Sequence, residues 1–142
     1  MSLDIVDLNW LGVIVATVVY FALGAVWFAP QTPIGKAWMT SSGYKSPTSG
    51  TLSTNVFYIF PAVFCLIATI ATALLARATG TDTIGEGVIL GLVVGLGYGL
   101  TLIVATAAFE FSKPAQWTWG LVTGSYHAVG LLIAAVIVSI LH

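Results

Sequence analysis

Charge is scarce in this chain. Four Lys/Arg and five Asp/Glu residues make up 6% of its 142 positions, for a formal net charge of -1. Soluble domains carry about 25% charged residues, and a globule this small has too much surface to keep solvated with so few. The near-neutral balance leaves no basic face, so no nucleic-acid partner is expected. The lone cysteine, Cys65, excludes an intrachain disulfide framework. It stands inside an apolar run, where it reads as a small core residue. Two histidines, His127 and the last residue His142, are too few for a His-rich metal centre within one chain. HExxH, CxxC, GxSxG and the Gly-rich phosphate loop are all missing. Gly95-Leu-Gly-Tyr-Gly99 lies within an apolar run, a context that excludes a dinucleotide fingerprint. No catalytic residue, metal or cofactor is therefore expected.

What the chain has is length of apolar sequence. It is 58% hydrophobic, with a mean hydropathy of +1.04. Four runs stand out: Asn9 to Ala29, Val56 to Ala76, Gly87 to Phe109 and Trp117 to Leu141. About 20 residues at about 1.5 Å each cross a ~30 Å hydrocarbon core. Strands in lipid would have to alternate and close into a barrel, and these runs do not alternate. The expected fold is all-α, with four transmembrane helices in a compact bundle forming one domain over 1–142. The expected spans are 9–29, 56–76, 87–109 and 117–141. Residues 30–55 form a long connection, with a short interfacial helix expected around Gly35 to Thr40. The other two connections are short, which makes spans two and three, and three and four, antiparallel neighbours. Pro61 is expected to bend the second span. The flank before the first run carries Asp4 and Asp7 where a secretory signal needs positive charge, so that run is expected to be a retained helix.

Lysines set the expected orientation. Lys36, Lys45 and Lys113 fall on one side and Arg77 alone on the other. By the positive-inside rule the long connection is cytoplasmic and both termini are outside, in a multi-pass protein of the cell membrane. The lysine side also collects Trp27, Trp38, Trp117 and Trp119 with Phe28, Phe109 and Phe111, against Trp10 alone opposite. These rings suit either an interfacial belt or a pocket wall.

Span three carries Gly87, Gly91, Gly95 and Gly99 at a spacing of four, with Gly85 and Gly97 nearby. That spacing returns to one helix face. A smooth face lets helix backbones approach closely in lipid, where hydrophobic drive between helices is weak. The partner is either another span or another copy of the chain. Weaker small-residue stripes occur on span four (Gly120, Gly124, Ala128, Ala134) and span one (Gly12, Ala16, Gly24).

Three polar residues are candidates for function. Glu110 follows span three, and continued helix would place it on the glycine face, beside Lys113 one turn on. It suits an interface ion pair or an inward carboxylate that binds a cation. His127 lies near mid-membrane on the same face as Gly120 and Ala134. Tyr20 and Tyr98 are at similar depth, so it suits an intramembrane function or a Tyr–His bond within the bundle. Lys36 suits snorkelling beside the interface or facing Glu110 across the membrane mouth.

Asn9-Trp10, Gly24-Ala-Val-Trp-Phe-Ala-Pro30, Gly35-Lys-Ala-Trp-Met39, Phe109-Glu110 and Gly124-Ser-Tyr-His127 together resemble the membrane family named domain of unknown function 1761. The resemblance spans nearly the whole chain. Its most specific part is the end of span one with the Gly-Lys-x-Trp stretch. Phe28 stands where tyrosine would be expected. The resemblance implies a four-helix membrane protein of prokaryotic type and no particular activity. A membrane-embedded enzyme ranks last, since no nucleophile–base pair is evident, and two other functions are compatible with these residues. One is a small oligomeric transporter or channel-like protein for a solute or ion, using Glu110, Lys36 and His127. The other is a non-catalytic scaffold or accessory subunit that binds lipid or other membrane proteins. The expected partners are the lipid bilayer and either a second copy or another membrane protein.

Overall fold

The computed structural model describes residues 4–44 and 54–141, with side chains described from Tyr58 onward in the second stretch. Those residues form five helices: α1 (Trp10–Trp27), α2 (Pro33–Ser42), α3 (Thr54–Thr79), α4 (Ile84–Ala107) and α5 (Gln116–Ile140). Four of them, all but α2, are long and apolar enough to cross a membrane. The rest of the long connection, including Lys45, lies outside the described residues.

Local chemistry sets the helix ends. The Asn9 side chain accepts from the Leu11 and Gly12 N–H groups and starts α1. Thr32 caps α2, Pro33 opens it, and Gly43 closes it at φ 69°. α3 runs through Pro61 and stops at a Schellman turn. There Gly80 adopts φ 68° and the Thr81 N–H returns to the Ala76 carbonyl at 2.8 Å. α4 starts earlier than the apolar run suggests. Thr83 and Glu86 form a reciprocal capping box, which recruits Ile84 to Glu86 into the first turn. It also ends earlier, at Ala107, followed by tight turns that carry Ala108 to Glu110.

α4 is not a uniform helix. Gly95–Leu100 is a π-helical segment, and the Thr101 hydroxyl donates to the Leu96 carbonyl at 2.7 Å. A π-segment shifts the angular register of everything after it.

α5 is the hub and packs against all four other helices. α1 and α3 also pack together, whereas α3 barely touches α4. Of the two neighbour pairs expected from the short connections, α4 with α5 holds, whereas α3 with α4 does not, because α5 takes the α4 interface. The glycines explain why. A Cβ at Gly91 would stand 2.7 Å from Leu132 Cα, and one at Gly95 2.6 Å from the Ala128 carbonyl. Gly87 meets Val136 and Ser139 in the same way, and Gly99 meets Leu131 and the His127 Cβ. The stripe seats α4 on α5 of the same chain.

The interior has two halves. Toward the termini lie Leu8, Val13, Ala16, Ala73, Ala76, Ala134 and Val138. Toward α2 lie Tyr20, Cys65 and Tyr126, with Trp27 and Phe28 against them. The outer faces are apolar too, with Phe60, Phe64, Ile89, Val93 and Leu102 exposed. A soluble bundle would place polar residues there; this surface suits lipid.

Candidate functional site

The polar groups of the interior gather where α1, α3 and α5 meet. Gly130 on α5 lies directly against the Tyr20 ring of α1, so that no other residue fits there without moving the ring. With this space, Tyr20 is 1% exposed and its hydroxyl reaches His127 Nδ1 at 2.6 Å. With the phenol donating, Nδ1 is unprotonated and the imidazole proton sits on Nε2. Neighbouring Tyr126 donates to the Tyr20 carbonyl at 3.3 Å and meets Cys65 Sγ at 3.5 Å. Gly24 makes room for the Tyr126 hydroxyl.

From Tyr126 a stack of rings runs toward α2. Phe28 lies edge-on to Tyr126 with centroids 5.0 Å apart, Trp38 follows Phe28 at 5.1 Å, and Tyr44 follows Trp38 at 5.4 Å. The indole N–H groups are tied to α5. Trp27 donates to the Val122 carbonyl at 3.1 Å and Trp38 to the Thr123 hydroxyl at 3.2 Å. These rings therefore clamp α2 and the end of α1 onto α5. Trp117, Phe109 and Phe111 point outward instead, with 79% exposure for each phenylalanine. The aromatic crowd thus divides into an inner clamp and an outer belt.

The cluster is well placed to hold helices together. A nucleophile needs an adjacent base that is itself oriented by a third group. Cys65 meets Tyr126, not His127. Among the described residues no group of three His, Cys, Asp or Glu could hold a metal ion. Thr69, on the inner face of α3 one turn from Cys65, is fully buried, and its hydroxyl finds no partner among the described residues. Thr72 shows the usual solution, donating to the Ala68 carbonyl of its own helix at 2.8 Å.

Other residues singled out from the sequence lie elsewhere. Glu110 is half-buried in the turn after α4 and pairs with Lys113 at 3.6 Å. The Lys113 ammonium also sits 4.4 Å from the Trp119 ring centre. Helical continuation from Gly99 does not place Glu110, because the π-segment shifts the register and α4 ends before it is reached. Lys36 is exposed on α2 and takes no part in the Glu110 pair. Tyr98 points away from His127 and is 62% exposed, since it precedes rather than occupies the packed Gly99 position. Gly85 and Gly97 face open space, so neither belongs to the α4–α5 contact. The sequence reasoning missed Tyr126 and Gly130 as members of the cluster. Gly130 was signalled by its spacing of three from His127 on one helix, whereas Tyr126, directly adjacent to His127, carried no such signal.

One cleft is open at the other end of the bundle. It measures about 230 Å³ and lies between the start of α1, the end of α3 and the end of α5. An ion pair between Arg77 and Asp7, 2.8 Å long, borders it.

Comparison with known proteins gives no matching curated protein and no matching solved structure. A family model does match, over residues 11–139, under the description "Protein of unknown function (DUF1761)". The match takes in α1 through nearly all of α5, and on it the chain belongs to the DUF1761 family.

Proposed function

We propose that this protein is a non-catalytic scaffold of the membrane whose working unit is a pair of copies joined along the outward face of α4. Tyr98 is the observation that supports this most. It lies near the middle of Ile84–Ala107 and its hydroxyl makes no hydrogen bond among the described residues. Tyrosines of membrane proteins favour the headgroup level, where the hydroxyl is wet. Side chains on a helix lean toward its N-terminus, so Tyr98 leans away from the nearer end of α4 and cannot reach headgroups easily. In hydrocarbon an unmet hydroxyl is costly.

A second copy inserted in the same direction presents Tyr98 at the same depth. A phenol is both donor and acceptor, so two Tyr98 side chains satisfy one another across a two-fold axis. Gly97, beside it, has nothing within 4 Å and gives a place for close approach. Transport through the bundle draws less support. Tyr20 and Tyr126 fill the space around His127, and Glu110 pairs with Lys113 in a surface turn. Lys36 and Lys113 on the α2 side favour a cytoplasmic α2 with both termini outside.

The test is the stoichiometry of the full chain in lipid nanodiscs or by single-molecule photobleaching in native membranes. Wild type is expected as pairs and Gly97→Leu as single copies with an unchanged melting curve. Single copies in wild type would refute the pairing.

A further inference from the structure

The cleft at the terminus end plays no part in that pairing. Arg77, Asp7 and Asp82 are among the residues that line it, one basic and two acidic. Leu8, Val138 and Leu141 line it with apolar surface. Glu86 adds a third carboxylate nearby, accepting from the Asp82 N–H at 3.1 Å. The cleft lies where α1 begins and where α3 and α5 end. In a spanning bundle that is the level of lipid headgroups. At about 230 Å³ it is smaller than the ~300–1,000 Å³ typical of drug-sized pockets.

We propose that this cleft binds a phosphoethanolamine group, with Arg77 on the phosphate and Asp82 on the primary ammonium. Arg77 has five N–H donors, and its 2.8 Å contact with Asp7 runs through one terminal nitrogen. The remaining donors of the planar fork suit two oxygens of a phosphate. The paired Asp7 fixes the guanidinium in place. The surplus of carboxylate on the Asp82–Glu86 side attracts a cation and repels a headgroup with net negative charge. An ammonium with three N–H donors can satisfy those oxygens. A quaternary ammonium has no N–H to donate and is recognised by aromatic cages. Among the described residues no aromatic side chain lines this cleft. Ethanolamine is therefore favoured over choline, and over glycerol headgroups that carry no cation. The apolar lining suits the start of a glycerolipid.

The full chain, extracted from vesicles of equal phosphatidylethanolamine, phosphatidylcholine and phosphatidylglycerol, would be examined by native mass spectrometry. Retention of the ethanolamine lipid over the choline lipid by about tenfold is expected, the weight of one good charge-assisted contact. Asp82→Asn, on an exposed side chain, should bring the ratio near one, and Asp82→Glu should restore most of it. Free phosphoethanolamine, free phosphocholine and phosphatidylethanolamine are then added separately to lipid-depleted wild type in detergent. A rise in melting temperature of roughly 3 °C with free phosphoethanolamine but not free phosphocholine supports the same chemistry with a soluble ester as its source. A rise only with the ethanolamine lipid supports it with the membrane as source. Equal retention of the three lipids, an unchanged ratio in Asp82→Asn, or no rise with either ethanolamine compound would overturn the proposal.

Discussion

Tyr20 and His127 were each visible in the sequence as polar residues deep in apolar runs, and the structure joins them at 2.6 Å. What the sequence could not supply was which tyrosine of two would do it. Tyr20 wins because Gly130, on the facing helix, leaves space for its ring. That complementarity spans two helices and leaves no mark in either one alone. Gly130→Ala is therefore expected to displace the ring and destabilise the fold by about 1–3 kcal/mol, the usual range for overpacking, as a lowered melting temperature in detergent. Tyr20→Phe keeps the ring and removes the bond. It should cost about 1 kcal/mol, in line with interhelical hydrogen bonds in lipid. At the surface, Glu110 is expected to matter little for stability. Its side chain is 35% exposed beside Lys113, so Glu110→Gln should change stability by less than about 1 kcal/mol. Unfolding curves that drop much further would mean that Glu110 holds more than this pair.

At the scale of helices, the spacing of four in Gly87, Gly91, Gly95 and Gly99 was legible as a packing face, and its partner was not. The structure assigns that partner as α5 of the same chain. The start of α4 is legible in the sequence, since Thr-x-x-Glu at Thr83–Glu86 is a capping-box pattern. The π-segment at Gly95–Leu100 had no readable signal, because glycines tolerate many backbone forms. It made the position of Glu110 unpredictable by counting 3.6 residues per turn. Two substitutions separate the two glycine faces of α4. Gly91→Leu places a side chain into the Leu132 backbone and should prevent α4 from seating, seen as loss of folded protein in detergent. Gly97→Leu enters open space and should leave the folded chain intact. If both behave alike, the assignment of faces is wrong.

The four spans of the whole molecule followed from run length and lack of charge, which lipid demands of any helix that crosses it. Their arrangement did not. Short connections suggested neighbours in chain order, yet α5 became the centre, since its small residues Gly120, Gly124, Ala128 and Gly130 admit helices on several sides. With the interior filled by this hub, the proposed pairing uses the outward surface of α4, which carries Tyr98. A cysteine one turn from Tyr98, with the phenol kept, tests that most directly. In a Cys65→Ala background, Leu102→Cys and, as a control on exposed apolar surface at another depth, Ile89→Cys would be oxidised mildly in native membranes. The pairing predicts a disulfide-linked dimer from Leu102→Cys and little from Ile89→Cys. No dimer from Leu102→Cys, or equal dimer from both, would contradict it.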